Sequence, residues 1–259
     1  MCELLGMECN VPTDIVFSFT GLRRRGGGTA HHKDGWGLAL YEGKRARVFL
    51  DPEPAAKSPL AAFVAAHPIK TLLAIGHIRK KTRGPRSLSN THPFTRELWG
   101  RDWVFAHNGT VKEAESLKLG RYAPLGSTDS ERAFCHLLEG LRAGFPKGAP
   151  DARTLSDAIA QLGARIGKKG TFNFLLGDGE RLYARCATKL CHLVRKAPFG
   201  QARLADEDVT IDFAPVTTTR DRVAVVSTVP LTTNETWIHG EPGHLWVFDR
   251  GKLVRTLES

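Results

Sequence analysis

The sequence predicts an α+β fold with stacked, mainly antiparallel sheets. Short strand-like runs recur along all 259 residues, and several are joined by turn signals too tight for a parallel crossover. Helical periodicity, by contrast, is confined to a few stretches. No composition shift, repeat or low-complexity tract marks a boundary, so residues 1–259 read as one domain.

In chain order, the first strand is Glu3 to Met7, followed by a weak helical stretch from Thr13 to Leu22. Arg25-Gly26-Gly27-Gly28-Thr29-Ala30 is a loop by composition. Strands at Trp36 to Tyr41 and Arg47 to Leu50 flank the hairpin signal Glu42-Gly43-Lys44. A second weak helix, Leu60 to Ala66, leads to strands at Leu72 to Ile78 and Trp103 to His107. The clearest helix is Ser130 to Arg142, where Ala133, Phe134, Leu137, Leu138 and Leu141 share one face. Thr128-Asp129-Ser130-Glu131 predicts its start as a capping box, with Thr128 as cap and Glu131 reaching back. Another helix is expected over Leu155 to Ile166. Strands Phe172 to Leu176 and Leu182 to Cys186 flank Gly177-Asp178-Gly179. Val223 to Ser227 and Leu245 to Phe248 follow, the last running into Arg250-Gly251-Lys252.

Composition narrows the function classes. The chain is 41% hydrophobic and 25% charged, ordinary for a globular domain. No run approaches the roughly 18 to 20 apolar residues that span a bilayer, and the N-terminus lacks the pattern of a secretory signal. These features point to the cytoplasm. Five scattered cysteines do not form a disulfide framework; Cys9, Cys135, Cys186 and Cys191 read as small buried hydrophobes. The net charge of +10 raises nucleic acid as a partner, but the basic residues are dispersed and not interleaved with aromatics. Neither nucleic acid nor membrane is therefore expected as a partner. Neither His31-His32 nor Cys186, Cys191 and His192 supplies a four-ligand metal set.

Four short segments carry chemistry. Loss of Met1, which a small second residue permits, would put a thiol and a free α-amine on Cys2. That amine, with a reference pKa near 7.7 to 8.0, can serve as its general base. Asn108 and Gly109, at the end of an apolar strand, can form an oxyanion hole or an ordinary Asn-Gly turn. Arg79 ends another strand and can fork a carboxylate, or be a solvated loop charge. Asp129 opens a helix, where it favours the dipole or meets an ammonium group. Together the set suits an α-amino acid with a side-chain amide.

In this order the segments resemble the class II glutamine amidotransferases, especially the YafJ-like stand-alone subgroup and related γ-glutamyl amidohydrolases. The matching segments are Met1 to Gly6, Arg25-Gly26-Gly27 with Asp34-Gly35-Trp36-Gly37, Gly76-His77-Ile78-Arg79, Asn90 to Phe94, His107-Asn108-Gly109, Thr128 to Glu131 and Asn234 to Trp237. They span nearly the whole chain. The resemblance implies an N-terminal-nucleophile αββα four-layer sandwich. It also implies roles: Cys2 as nucleophile, Asn108 and Gly109 as oxyanion donors, Arg79 and Asp129 as substrate clamps. Thr82 stands where relatives place a small polar substrate contact, although Arg83 replaces a histidine seen in many of them. Arg25 and His92 match positions around the site. The implied reaction is cofactor- and metal-free hydrolysis of glutamine through a γ-glutamyl thioester. A γ-glutamyl conjugate such as glutathione is the alternative substrate, with Lys80, Lys81, Arg83 and Arg86 available for a further carboxylate. A non-catalytic binding module is a third reading. The length leaves no room for a synthase domain, so any ammonia acceptor would be a separate subunit.

Overall fold

Side chains alternate along the first strand, and each face finds its own core. Leu5 and Met7 pack with Phe19, Leu22, Trp36 and Val64, whereas Leu4 packs with Ile75, Val104 and Leu175. A strand sandwiched on both faces is apolar at successive positions, and Glu3–Thr13 is buried along most of its length. This computed structural model describes residues 2–81 and 84–259.

The strands in chain order are β1 Glu3–Thr13, β2 Trp36–Glu42, β3 Arg45–Asp51, β4 Thr71–Ile78, β5 Phe94–Leu98, β6 Arg101–Val111, β7 Gly170–Gly177 and β8 Leu182–Cys186. They continue with β9 Cys191–Lys196, β10 Gln201–Arg203, β11 Thr210–Asp212, β12 Arg222–Ser227, β13 Ile238–His239, β14 His244–Asp249 and β15 Lys252–Glu258. One sheet has the order β13-β9-β12-β1-β4-β2-β3 and the other β15-β14-β8-β7-β6-β5. Their pairings are antiparallel throughout. Strands β10 and β11 form a separate hairpin.

Helices α1 Val16–Arg25 and α2 Pro59–Ala66 cover the first sheet, through Phe19, Leu22, Ala61 and Val64. Helices α3 Asp129–Gly144 and α4 Ala152–Gly167 cover the second. There Phe134, Leu137, Leu141 and Ile159 meet Phe105, Phe172 and Phe174. Leu4, Ile75, Val104, Ala106, Leu175 and Leu182 fill the space between the sheets. The layers are therefore α, β, β, α, as expected. The sheets approach closely at Gly6, where a Cβ would lie 2.8 Å from Leu182.

Two local expectations need correction. The first helix begins at Val16 rather than Thr13, because β1 continues to Thr13. The capping box is half formed: Thr128 Oγ1 accepts the Glu131 amide at 3.2 Å. The Glu131 carboxylate instead accepts the Leu125 and Gly126 amides and pairs with Arg96 at 2.6 Å. No helix among the described residues is long and apolar enough to cross a membrane.

Candidate active site

The site forms where the ends of β1, β4 and β6 meet. In the β1–β4 ladder Glu3 faces Ile78, so one step further Cys2 lies opposite Arg79. Even-numbered β1 side chains point between the sheets, as Leu4 does, and Cys2 shares that parity. The thiol is held by the backbone of Lys80, whose N–H donates to Sγ at 3.3 Å and whose carbonyl lies 3.4 Å away. Burial pushes the Cys2 thiol up, while the Lys80 N–H and the Arg79 charge pull it back. The net rise keeps the thiol protonated at neutral pH, so a thiolate here needs a base.

Asn108 approaches the same space from the second sheet. On β6, Val104 and Ala106 face the first sheet, and Asn108 continues their parity. Its Nδ2 donates to Thr228 Oγ1 at 3.5 Å, and that hydroxyl also accepts the Leu4 amide at 2.9 Å. Thr228 therefore ties Asn108 to the strand that carries Cys2. Asn108 Oδ1 is buried without a partner among the described residues. Gly109 is required by close approach: a Cβ there would strike the Thr171 carbonyl and lie 2.9 Å from His107 Nε2.

Asp129 sits in the first turn of α3, where its Oδ2 accepts the Val111 amide at 2.6 Å. His107 Nδ1 meets Ser130 Oγ at 2.8 Å, a second tie between the same helix and strand. Arg79 is 3% exposed, and its Nη1 donates to Pro85 O at 3.1 Å. The neighbouring Asp34 carboxylate accepts the Lys81 amide, shaping the chain beyond Arg79.

Arg25 does not reach Cys2 but holds its neighbour. Its Nη1 donates to Glu3 Oε2 at 3.3 Å and to Val229 O at 3.2 Å. Its Nε donates to Asp206 at 2.7 Å and its Nη2 to Pro230 O at 2.6 Å. His92 lies deeper, stacked on His77 at 4.2 Å. Burial drives both imidazoles toward the neutral form, His77 down to about 3. Thr82 and Arg83 lie outside the described residues. Among the described residues no cluster of His, Cys, Asp or Glu is placed to hold a metal.

The structure thus brings Cys2, Arg79, Asn108, Gly109 and Asp129 to one end of the sandwich, with Arg25 and His92 behind them. Sequence reasoning passed over Thr228, Glu3 and Asn173. Asn173 had a signal, an amide between Phe172 and Phe174 in an apolar strand. Its Nδ2 donates to the Asn108 carbonyl at 2.9 Å, and its Oδ1 accepts the amides of Ala187 and Thr188. Thr228 has no local signal.

Comparison with known proteins identifies the family and the fold. The family model "Glutamine amidotransferases class-II" matches residues 1–259. YafJ of Escherichia coli (strain K12), provisionally assigned as a glutamine amidotransferase, is 52% identical over 254 residues, covering 98% of this chain and 100% of YafJ. A crystal structure of a predicted glutamine amidotransferase from Pseudomonas aeruginosa superposes with a TM-score of 0.79 at 44% identity, covering 98% of this chain and 100% of that one. The glutamine phosphoribosylpyrophosphate amidotransferase of Bacillus subtilis shares the fold at a TM-score of 0.63 and 16% identity, over 99% of this chain and 49% of that one. On the family match and the close relatives together, the chain belongs to the class II glutamine amidotransferases.

Proposed function

We propose that the chain, once Met1 is removed, hydrolyses the side-chain amide of glutamine to glutamate and ammonia with Cys2 as nucleophile. The observation that carries this reading is the thiol held at Lys80, opposite Arg79, with Asn108 tethered through Thr228 to Leu4. The Cys2 α-amine takes the thiol proton, directly or through water, and Sγ attacks the δ-carbonyl carbon. The carbonyl π electrons move onto oxygen, which Asn108 Nδ2 and the Gly109 amide stabilise. Collapse expels ammonia, protonated by the same amine, and leaves a γ-glutamyl thioester. Water, deprotonated by that amine, attacks the thioester and releases glutamate and the thiol. Arg79 forks the substrate α-carboxylate and Asp129 meets its α-ammonium. Thr82 contributes a polar contact on the same side, and Arg25 and His92 position the surrounding backbone.

Of the cations that the further carboxylate of a γ-glutamyl conjugate would meet, Arg86 is already engaged. It pairs with Glu53 and donates to the Pro52 carbonyl. Released ammonia would pass to an acceptor enzyme on a separate chain, or be the product itself.

Intact-protein mass with 6-diazo-5-oxo-L-norleucine, a glutamine analogue that alkylates such thiols, tests the reading. A mass lacking methionine and one adduct mapped to Cys2 are expected. Retained Met1 with no adduct would overturn it. A steady-state comparison of glutamine with glutathione then separates the two substrates.

A further inference from the structure

At the far end of β1, roughly 30 Å from Cys2 by strand rise, the molecule has an open cavity of about 770 Å³. That is a size that takes a small organic ligand. Its walls come from Val11 to Thr13 of β1, the start of α1, the β10–β11 hairpin and Phe213 to Thr217. Phe17, Phe199 and Phe213 supply aromatic surface, the rings of Phe17 and Phe213 meeting edge-on at 5.6 Å. Flat aromatic ligands suit such walls, because offset and edge contacts add to area burial.

The polar lining carries donors without acceptors. Arg195 lies 4.7 Å from the centre of the Phe213 ring. Its Nε and Nη2 donate to Glu235 at 2.7 Å each, but Nη1 has no partner among the described residues. This side chain is only 9% exposed. Ser18 lines the cavity at 5% exposure, and its hydroxyl likewise has no partner among the described residues. Ser18 lies in the first turn of α1, whose N-cap Ile15 contributes no side-chain bond. The Val16 amide is taken by Asp14 at 3.1 Å, while those of Phe17 and Ser18 have no acceptor among the described residues. The cavity wall thus offers helix-start amides, a hydroxyl and one guanidinium edge as donors to an oxyanion. Lys70 at the rim adds positive charge, and Asp14 and Asp221 add negative charge. Asp221 is bonded to Thr218. The local charge is therefore nearly balanced, and the preference comes from the unpartnered donors.

We propose that this cavity is a second small-molecule site, separate from Cys2, that binds a flat aromatic compound bearing one oxyanionic group. The motif Asn234-Glu235-Thr236-Trp237 then has a use: Glu235 orients Arg195 so that its remaining edge is left for the ligand.

Fluorescence titration with 1-anilinonaphthalene-8-sulfonate, and with N-phenyl-1-naphthylamine, which lacks the sulfonate, tests the site. The intact chain is expected to bind the sulfonate at one saturable site and at least about tenfold more tightly than the neutral dye. Val216→Trp blocks the mouth from a position that is 73% exposed, and Ser18→Phe fills the floor. Each is expected to weaken sulfonate binding by about tenfold or more while circular dichroism stays native. If Ser18→Phe fails to fold, Val216→Trp decides alone. Absence of saturable binding, equal affinity for the two dyes, or a folded blocking variant that binds like the parent would overturn the proposal.

Discussion

Asp129 has two demands on one carboxylate. Its Oδ2 accepts the Val111 amide and fastens α3 to β6, while on the proposed reading its charge meets the substrate ammonium. Asp129→Asn separates the roles, because an amide oxygen can still accept from Val111 while the charge is gone. The expected result is a rise in KM for glutamine of about tenfold to a hundredfold, as for a lost charge-assisted bond, with little change in Tm. Asp129→Ala should lose both. Thr228 offers a similar separation. Thr228→Val leaves the Leu4 amide without its acceptor and Asn108 without its tether, so kcat should fall about tenfold or more with KM nearly unchanged. Thr228→Ser restores the hydroxyl and should restore kcat. Equal losses in the two variants, in steady-state kinetics, would show that the hydroxyl positions nothing.

At the scale of elements, the start of α3 shows how far sequence reading reaches. The apolar face and the Thr128 cap were legible because a helix period and a capping residue are local features. The destination of Glu131 was not, since its partners Arg96, Leu125 and Gly126 are set by tertiary packing. That buried carboxylate fixes the loop leading into Asp129. Glu131→Ala should lower stability by about 3 kcal/mol, leaving Arg96 poorly paired. It should also speed hydrogen exchange at the Leu125 and Gly126 amides, and denaturant unfolding with exchange mass spectrometry reads both. The candidate residues Arg79, Asn108 and Asp129 were visible because each ends an apolar strand or opens a helix, and Cys2 because it stands second in the chain. The short strands β5, β9, β10, β11 and β13 carried too little alternation to be seen. Residues that join elements distant in sequence, such as Thr228 to Leu4 and Asn108, leave no periodic trace.

At the scale of the whole molecule, buried titratable groups set the pH range of stability. Burial holds His77 near 3 and His192 near 4, and depresses His92 and His107 as well. Histidine pKa values depressed on folding contribute stability that is present above about 6.5 and lost as pH falls toward the folded values. Denaturant midpoints should therefore drop steadily below about pH 6.5. Glu8 acts with the opposite sign. Burial raises its carboxyl to about 7, although it accepts the Gly251 amide at 2.7 Å. Its contribution is complete below the unfolded value and is lost as pH rises through about 7. Glu8→Gln should stabilise the protein at pH 8 by on the order of 3 kcal/mol and by little at pH 4. A pH-independent effect in urea unfolding would refute the assignment. The same view gives the Arg25 clasp a mechanical meaning. One guanidinium rivets the loop of the β10–β11 hairpin, through Asp206, to the residue beside Cys2 and to the Val229–Pro230 turn. A protease cut in that surface loop would shear the rivet, so damage at the periphery would be felt at the first residues of the innermost strand.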